Sequence, residues 1–190
     1  MIQKDIELLE IYYREALETQ KGVINFGDFN KRKLNFFKRL KAKRSIEYFK
    51  KIQEIEPDDF RLHFFIGKNY ESLNELEKAL FFLENSVTLN KNEPILPFEA
   101  SIVAIKLELN EKALHLIQEA IKRSPEDEMF LAVHAMYLLI SGNFTQAQIV
   151  INQAFQKKPK DSFIIELKVI IDEVKLGHLT QPSLYSLFNK

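Results

Sequence analysis

The sequence is poor in the residues that form tight loops and covalent cross-links. Its 190 residues include five glycines, six prolines, no cysteine and no tryptophan. The missing cysteine excludes disulfides, thiolate metal sites and a cysteine nucleophile, and it fits a reducing compartment. The glycines are too far apart to form a P-loop, a dinucleotide-binding fingerprint or a nucleophile elbow. Nucleotide enzymes of those types are therefore excluded.

Long hydrophobic runs are also missing. The longest nearly apolar stretch, residues 129–140, is well short of the roughly 20 residues that a membrane-spanning helix needs. The amino-terminal sequence mixes charges into an amphipathic pattern and lacks the apolar core of a secretion signal. We therefore expect a soluble, cytoplasmic protein with no membrane span.

Charge is balanced in total but uneven along the chain. The 27 basic and 27 acidic residues cancel, yet the segment from Lys31 to Lys51 holds ten basic residues and one acid, Glu47. This basic segment therefore carries +9 and the remainder −9. Because Leu34, Phe37 and Leu40 are spaced like core positions of a helix, we expect a packed helix with a charged outer face and not a nucleic-acid site. If the segment does have a partner, an acidic protein and RNA are both open.

Small residues and prolines recur at a period of 34. Three columns share this spacing or a multiple of it: Ala79, Ala113 and Ala147; Ser86, Ala120 and Ala154; and Pro57, Pro125 and Pro159. Small side chains let neighbouring helices approach closely, and the large side chains between them fill the gaps. The period and the residue types resemble the tetratricopeptide repeat (TPR), a helix–turn–helix unit.

This resemblance implies an all-α TPR superhelix. Three repeats are clear, beginning at Phe60, Pro94 and Glu128, and an earlier one is degenerate because Lys33 occupies a small-residue position. Such arrays need caps on both end faces, and the C-terminal cap should end near Gly177. The predicted segments are 1–25, an amino-terminal helix; 26–59, the degenerate first repeat; 60–161, three clear repeats; and 162–190, a C-terminal capping helix and tail.

The concave surface of a TPR superhelix is lined by fixed positions of the first helix in each repeat. In this chain those positions become steadily more apolar toward the C-terminal end, unlike a solvated surface. An extended or helical peptide segment is the natural ligand. For the third repeat, an equal alternative is that the C-terminal helix covers residues 129–140 as ordinary core. The candidate peptide-binding residues are Phe64, Lys68, Phe98, Ile102, Ile105, Met129, Ala132 and Met136.

One stretch resembles a narrower group of TPR proteins. Gly67, Tyr70 and Ala79 lead without a gap to the junction Glu93-Pro94-Ile95-Leu96-Pro97-Phe98-Glu99-Ala100. This stretch looks like the class II chaperones of bacterial type III secretion, which hold hydrophobic translocator subunits before export. Two prolines three residues apart also suit a helix start, because neither needs an amide partner in the first turn.

The resemblance implies a bacterial cytoplasmic chaperone whose groove holds a segment of a hydrophobic secreted translocator or effector. Phe64, Phe98 and Ile102 would occupy the inherited groove positions. The sequence departs from the family at Glu99, where a histidine is usual, and at Val103, where a cysteine is frequent. Family members often dimerise through the amino-terminal helix. The residues available here for a homodimer, or for capping the first repeat, are Ile6, Leu9, Tyr13 and Leu17.

Catalytic chemistry is not predicted. The four histidines form no i, i+3 or i, i+4 pair, so we expect no helical metal site, and we interpret His63 and His134 as packed side chains. No nucleophile, base and orienting group can be assembled from the spacing. We therefore expect no enzyme activity and no cofactor. The alternatives to a chaperone are a general TPR scaffold for a soluble complex and, third, an RNA-associated protein that uses the basic segment.

Overall fold

The structure is a computed structural model that describes residues 3–30 and 33–188. Within these ranges it consists of ten α-helices and no β-strand, which confirms the all-α prediction. Lys31 and Arg32, the first two residues of the basic segment, lie outside the described residues. The helices are α1 Gln3–Gln20, α2 Phe36–Gln53, α3 Phe60–Ser72, α4 Leu76–Leu89, α5 Ile95–Lys106, α6 Asn110–Arg123, α7 Glu128–Ile140, α8 Phe144–Lys157, α9 Ser162–Lys175 and α10 Leu184–Phe188.

The chain forms two compact units, residues 1–99 and residues 100–190, here called unit 1 and unit 2. The boundary falls inside α5. In unit 1, α1 packs on α2, α2 on α3 and α3 on α4; in unit 2, α6 packs on α7, α7 on α8 and α8 on α9. Successive helices thus pack as neighbours, as expected for helical hairpins. The division of the chain by repeat stays a prediction.

Aspartates begin three of the helices at the same position of the repeat. The side chains of Asp59, Asp127 and Asp161 each accept a hydrogen bond from the backbone N–H two residues later, at 2.9, 2.9 and 3.0 Å. These bonds satisfy donors that a helix start otherwise leaves without a partner. Because such caps contribute about 0.5–2 kcal/mol each, they fix where α3, α7 and α9 begin.

The turns inside the hairpins also repeat. Asn74, Glu108 and Gly142 are 34 positions apart and all have positive φ, at 61°, 61° and 79°. This left-handed conformation suits glycine, is tolerated by asparagine and is unfavourable for glutamate. Gly177, with φ 78°, follows the end of α9, so the predicted stop of the C-terminal helix is confirmed.

The degenerate first repeat contains a single helix, α2, and its packing partner is α1. The Ser45 hydroxyl donates to the carbonyl of Ala16 at 3.1 Å, and the Tyr13 hydroxyl donates to Asp59 at 2.7 Å. Burial acts to raise the pKa of Asp59, but the hydrogen bonds from Arg61 and Tyr13 outweigh it and hold this pKa below its ordinary value. Helix α1 therefore caps unit 1, the alternative that the sequence left beside dimerisation.

Candidate functional site

The inner face of unit 1 is covered by the connection between α1 and α2. The predicted groove residues Phe64, Lys68 and Phe98 are all buried. An irregular segment, residues 24–29 and here called the inner loop, lies against them. The Phe26 ring stacks on the Phe64 ring with centroids 6.0 Å apart and planes 8° from parallel. The chain itself thus occupies the surface that the sequence assigned to a partner.

A buried group of three charges lies beneath the inner loop. The Lys68 ammonium, fully buried, donates to the carboxylates of Glu71 and Glu99, the latter at 2.5 Å. It also lies 5.7 Å from the centroid of the Phe26 ring, a distance at which a cation is attracted to the ring face. Gly27 donates its backbone N–H to Glu99 at 2.7 Å. The loop therefore supplies both an aromatic ring and a hydrogen-bond donor to the charge group.

Burial and ion pairing oppose each other in this group. Burial acts to lower the pKa of Lys68, but the two neighbouring carboxylates outweigh it and raise that pKa. Burial raises the pKa of Glu99, and the contacts with Lys68 and Gly27 act against that rise. Glu99 accepts hydrogen bonds both from the Lys68 ammonium and from the Gly27 backbone N–H. This face therefore suits a segment that brings N–H donors, as Gly27 does.

The sequence analysis missed this arrangement. The repeat positions assigned Lys68 to a peptide-binding groove and gave no role to Glu71 or to the inner loop. Two signals were available: Lys68 and Glu71 are an i, i+3 pair, and Glu99 is the position that departs from the chaperone pattern. The pairing with Gly27, 72 residues away along the chain, had no signal because an irregular segment has no period.

The inner face of unit 2 is covered by different elements. Ile102, Ile105, Ala132 and Met136 are buried and Met129 is partly buried. Residues 179–188, here called the C-terminal tail, and α9 provide the cover. The Gln181 side-chain amide donates to the carbonyl of Ile140 at 2.5 Å. A pocket of about 120 Å³ has as its main apolar lining Met136, Phe163, Leu167, Ile170, Leu187 and Phe188.

The alternative in which the C-terminal region covers the third repeat thus matches the structure. Met136 and Ala132, which are among the candidate peptide-binding residues, are both at 0% exposure. Of the eight candidate residues, three lie in unit 1 and five in unit 2, and in each unit the chain covers its own. Their role in binding a peptide stays a prediction.

In the basic segment, the structure differs from the predicted positions of the core residues. Leu34 packs against the core of unit 1, but Phe37 is 73% and Leu40 is 49% exposed. The expectation that Phe37 and Leu40 are core residues is wrong. The core face of α2 is formed by residues such as Ala42 and Phe49. At 100° per residue Leu40 lies roughly opposite this face and Phe37 lies about 120–140° from it.

The structure also bears on metal binding, on the histidines and on membrane spans. Within residues 3–30 and 33–188, no three histidine, aspartate or glutamate side chains are grouped so as to hold a metal ion. The two histidines interpreted as packed are both partly buried, and burial lowers the pKa of His134. In the same ranges no helix has both the length and the apolar character to cross a bilayer.

Comparison with known proteins supports the repeat. Residues 60–93 match the family model of the tetratricopeptide repeat, and these are the bounds of the first clear repeat predicted from the spacing. No curated protein has a sequence significantly similar to this chain. The comparisons indicate no catalytic family.

Solved structures with the same fold are TPR proteins. A crystal structure of MamA has a TM-score of 0.68 at 14% identity and covers 77% of this chain and 88% of its own. MamA from residue 41 onward, from Desulfovibrio magneticus RS-1, has a TM-score of 0.74 at 12% identity, with 95% and 92% covered. YrrB, titled a TPR protein with an unusual peptide-binding site, has a TM-score of 0.64 at 15% identity, with 75% and 73% covered. The chain therefore has the all-α TPR fold.

Proposed function

We propose that this protein is a non-enzymatic interaction module that binds a segment of a partner protein on the inner face of unit 1. The observation that carries the proposal is the inner loop, which already lies there as a segment without regular structure. It uses three kinds of contact: ring stacking on Phe64, a cation–π contact with Lys68 and a main-chain hydrogen bond to Glu99. A partner segment with an aromatic residue followed by a free N–H would make the same contacts.

The inner loop is suited to displacement. Phe26 remains 55% exposed although it stacks on Phe64, so only part of its apolar surface stabilises the closed arrangement. Gly27 has φ 62°, a conformation that glycine adopts without strain and that a partner segment would not need to copy. The peptide-binding site named for YrrB adds support from a protein of the same fold.

The narrower proposal is a cytoplasmic bacterial chaperone for a hydrophobic type III secretion translocator or effector. Its support is the junction 93–100, in which the first turn of α5 carries Pro97 and is followed by Phe98 and Glu99. Phe98 of this junction is buried beside the inner loop, so one residue that carries the resemblance belongs to the proposed site. Glu99, which pairs with Lys68 there, departs from the family pattern and does not add to the resemblance. The alternative is a general TPR scaffold that assembles a soluble complex.

Dimerisation through α1 is a separate proposal. Leu9 is buried and Tyr13 packs within unit 1, so neither is available to a second copy. A dimer would have to use Ile6 and Leu17, which are 41% and 40% exposed. Sedimentation of the wild type and of an Ile6→Ser/Leu17→Ser variant tests this proposal.

The inner loop provides its own test of partner binding. The variant Phe26→Ala/Gly27→Pro removes the ring contacts and the N–H donor, and proline cannot adopt the φ of Gly27. We expect this variant to bind a synthetic peptide of residues 23–30 with a Kd between about 1 and 100 µM. The wild type should bind at least about tenfold more weakly, because its own loop competes at high effective concentration. Calorimetry or fluorescence anisotropy measures both.

Matched controls isolate the contacts. A peptide with alanine in place of Phe26 should not bind, and Phe64→Ala added to the loop variant should abolish binding of the native peptide. If the loop variant keeps its helix content by circular dichroism and still binds no peptide, the proposed function is wrong.

Co-expression distinguishes the two partner classes. A chaperone should keep a membrane-inserting translocator soluble and form a complex with it, whereas a scaffold should bind a partner that is soluble alone. The substitution Phe64→Ala should weaken either complex. Ile102→Asp is unsuitable as a probe because Ile102 is fully buried, and a carboxylate there is expected to unfold unit 2.

A further inference from the structure

The first six residues of α2, from Phe36 to Lys41 and here called the α2 tip, extend past the ends of the two helices that flank α2. All six are exposed, and burial on α2 begins only at Ala42. The Asn35 side chain caps the helix by accepting from the Lys38 N–H at 2.9 Å. The tip is therefore a well-formed helix end that no described side chain covers from outside.

The lengths of α1 and α3, the helices on either side of α2, explain why the tip is exposed. The contacts of Ser45 with Ala16 and of Tyr48 with Tyr12 set the register of α1 against α2 and bring the last residue of α1 level with residue 41. The hydrogen bond between Asn69 and Ser45 sets the register of α3, whose last residue comes level with residue 42. Both neighbours end where the tip begins.

The tip combines large apolar side chains with cations. Phe36 and Phe37 are 68% and 73% exposed, and Leu40 is 49% exposed. Lys38, Arg39 and Lys41 alternate with them. A cluster of exposed large apolar side chains is uncommon on a monomer and marks a surface that contacts something else.

The cations are not explained by the fold. Positive charge at a helix amino terminus opposes the helix dipole, and the first turn of α2 holds no acid. No ion pair joins Lys38, Arg39 or Lys41 to another residue within the described ranges. The one acid of α2, Glu47, is about 16 Å along the axis from Phe36. The tip is thus a cationic end on a chain whose remainder is net negative.

We propose that the α2 tip is a peripheral membrane anchor that inserts into the interface of a bilayer containing anionic lipids. Phe36, Phe37 and Leu40 enter the boundary between headgroups and acyl chains, and the neighbouring lysines and arginines contact lipid phosphates. Interfacial helices bury their apolar side chains about 5–10 Å into this boundary and carry lysines and arginines on the polar side, which are the two kinds of side chain that the tip presents.

The shape of the tip favours a membrane over other anionic partners. It is exposed on all sides, and a fluid interface can surround it, whereas a protein groove would cover one side only. RNA would pair with the cations and could stack on an aromatic ring, but it offers nothing to Leu40. The net charge of −9 outside the basic segment would orient the rest of the chain away from an anionic surface.

Vesicle binding tests the anchor with the full-length chain. We expect sucrose-loaded vesicles of phosphatidylcholine with phosphatidylglycerol to sediment at least about tenfold more protein than phosphatidylcholine alone. Phe36→Ser/Phe37→Ser should reduce this binding at least about tenfold through lost insertion, and Lys38→Glu/Lys41→Glu should reduce it at least about tenfold through lost attraction. Both pairs are exposed, so the fold should be unaffected.

A fluorescent reporter measures insertion directly. The chain has no tryptophan, so Phe37→Trp creates a single indole whose emission should shift to the blue with anionic vesicles and be quenched by brominated lipid. Phe81→Trp is the matched control, since Phe81 is 60% exposed on α4, and its emission should not change.

Three results would contradict the proposed membrane anchor. They are no sedimentation with anionic vesicles, sedimentation that Phe36→Ser/Phe37→Ser leaves unchanged, and a Phe37→Trp emission maximum that does not shift when vesicles are added. Binding of a polyuridine oligonucleotide that survives loss of both phenylalanines, without vesicle binding, would assign the tip to RNA instead. Neither assay involves the inner loop, so the outcome is independent of the proposed function.

Discussion

Units 1 and 2 both cover an inner helix face with their own chain, but they use different chemistry. At the same position of three successive repeats are Lys68 in unit 1 and Ile102 and Met136 in unit 2. The lysine requires two carboxylates, one of which takes an N–H from the inner loop. Met136 requires only apolar neighbours. Polar burial is directional and apolar burial is not, so the contact at Lys68 specifies both partners and their geometry, whereas the contact at Met136 requires only an apolar side chain of suitable size.

The largest loss of stability is expected when Lys68 of unit 1 is replaced by methionine, the residue at the equivalent position 136 of unit 2. Lys68→Met removes the buried ammonium that pairs with Glu71 and Glu99, and breaking a buried ion pair in this way typically destabilises by about 3–5 kcal/mol. Urea unfolding followed by circular dichroism measures the loss. Hydrogen exchange should locate it in α3 and in the first turn and a half of α5.

Neutralising the carboxylates is the matched control. In Lys68→Met/Glu71→Gln/Glu99→Gln no charge is left buried, so most of the lost stability should return. A single Lys68→Met variant as stable as the wild type would contradict the difference in chemistry between the units.

Removing the C-terminal tail should have the next largest effect. A chain that ends at Thr180 lacks Leu187 and Phe188, and it exposes Met136 and the carbonyl of Ile140. We expect unit 2 to lose about 1–3 kcal/mol and to bind the dye ANS, with faster exchange in α7 and none of these changes in unit 1. Tyr185→Ser, at a side chain 74% exposed, is the control and should change little.

A smaller effect is expected at the helix crossing of unit 1. A Cβ on Gly67 would lie 2.8 Å from Leu83 Cγ and 3.1 Å from the carbonyl oxygen of Ala79. Gly67→Ala should therefore destabilise by about 1–2 kcal/mol, because overpacking exceeds the gain in helix propensity. Ser101 occupies the same position of the next repeat and already carries a Cβ, so Ser101→Ala adds no overlap, and its cost of about 0.5–1.5 kcal/mol comes from the lost hydrogen bond with Tyr137. Thermal unfolding compares the two.

The smallest expected effect is a gain in the free energy of unfolding. Glu108→Gly relieves a left-handed φ that a glutamate adopts at a cost of about 1–2 kcal/mol, and part of this gain is lost to the greater freedom of glycine in the unfolded chain. The net stabilisation should be about 0.5–1 kcal/mol, detectable as a raised Tm. Asn74→Gly should be near neutral, because asparagine tolerates this conformation. An equal response at the two turns would show that the side chain does not matter there.

Much of the fold could be predicted because its determinants are local and repeat. The alanines at a 34-residue spacing mark helix crossings, and Asp59, Asp127 and Asp161 mark helix starts whatever lies elsewhere in the chain. The predicted bounds of one repeat, 60–93, agree with the family match for the same reason.

The site was predicted only in part, because the segments that cover it, the inner loop and the C-terminal tail, have no repeating sequence pattern. Repeat position assigns Phe64 and Phe98 to the inner face, but nothing in the sequence indicates that Phe26 stacks on Phe64 or that Gly27 donates to Glu99. The prediction of core residues in the basic segment was wrong for a related reason. A spacing of three made Phe37 and Leu40 resemble core residues, yet where α1 and α3 end decides that nothing packs on them.

The sequence by itself determined the class of fold, the bounds of the repeat at 60–93 and the apolar or charged character of the residues at the inner positions, because these depend on residue type and spacing along one helix. Only the tertiary structure decided what lies on each face. The inner loop covers unit 1, the C-terminal tail covers unit 2, and the α2 tip stays bare, since covering a surface depends on which distant segment reaches it and where its neighbours end.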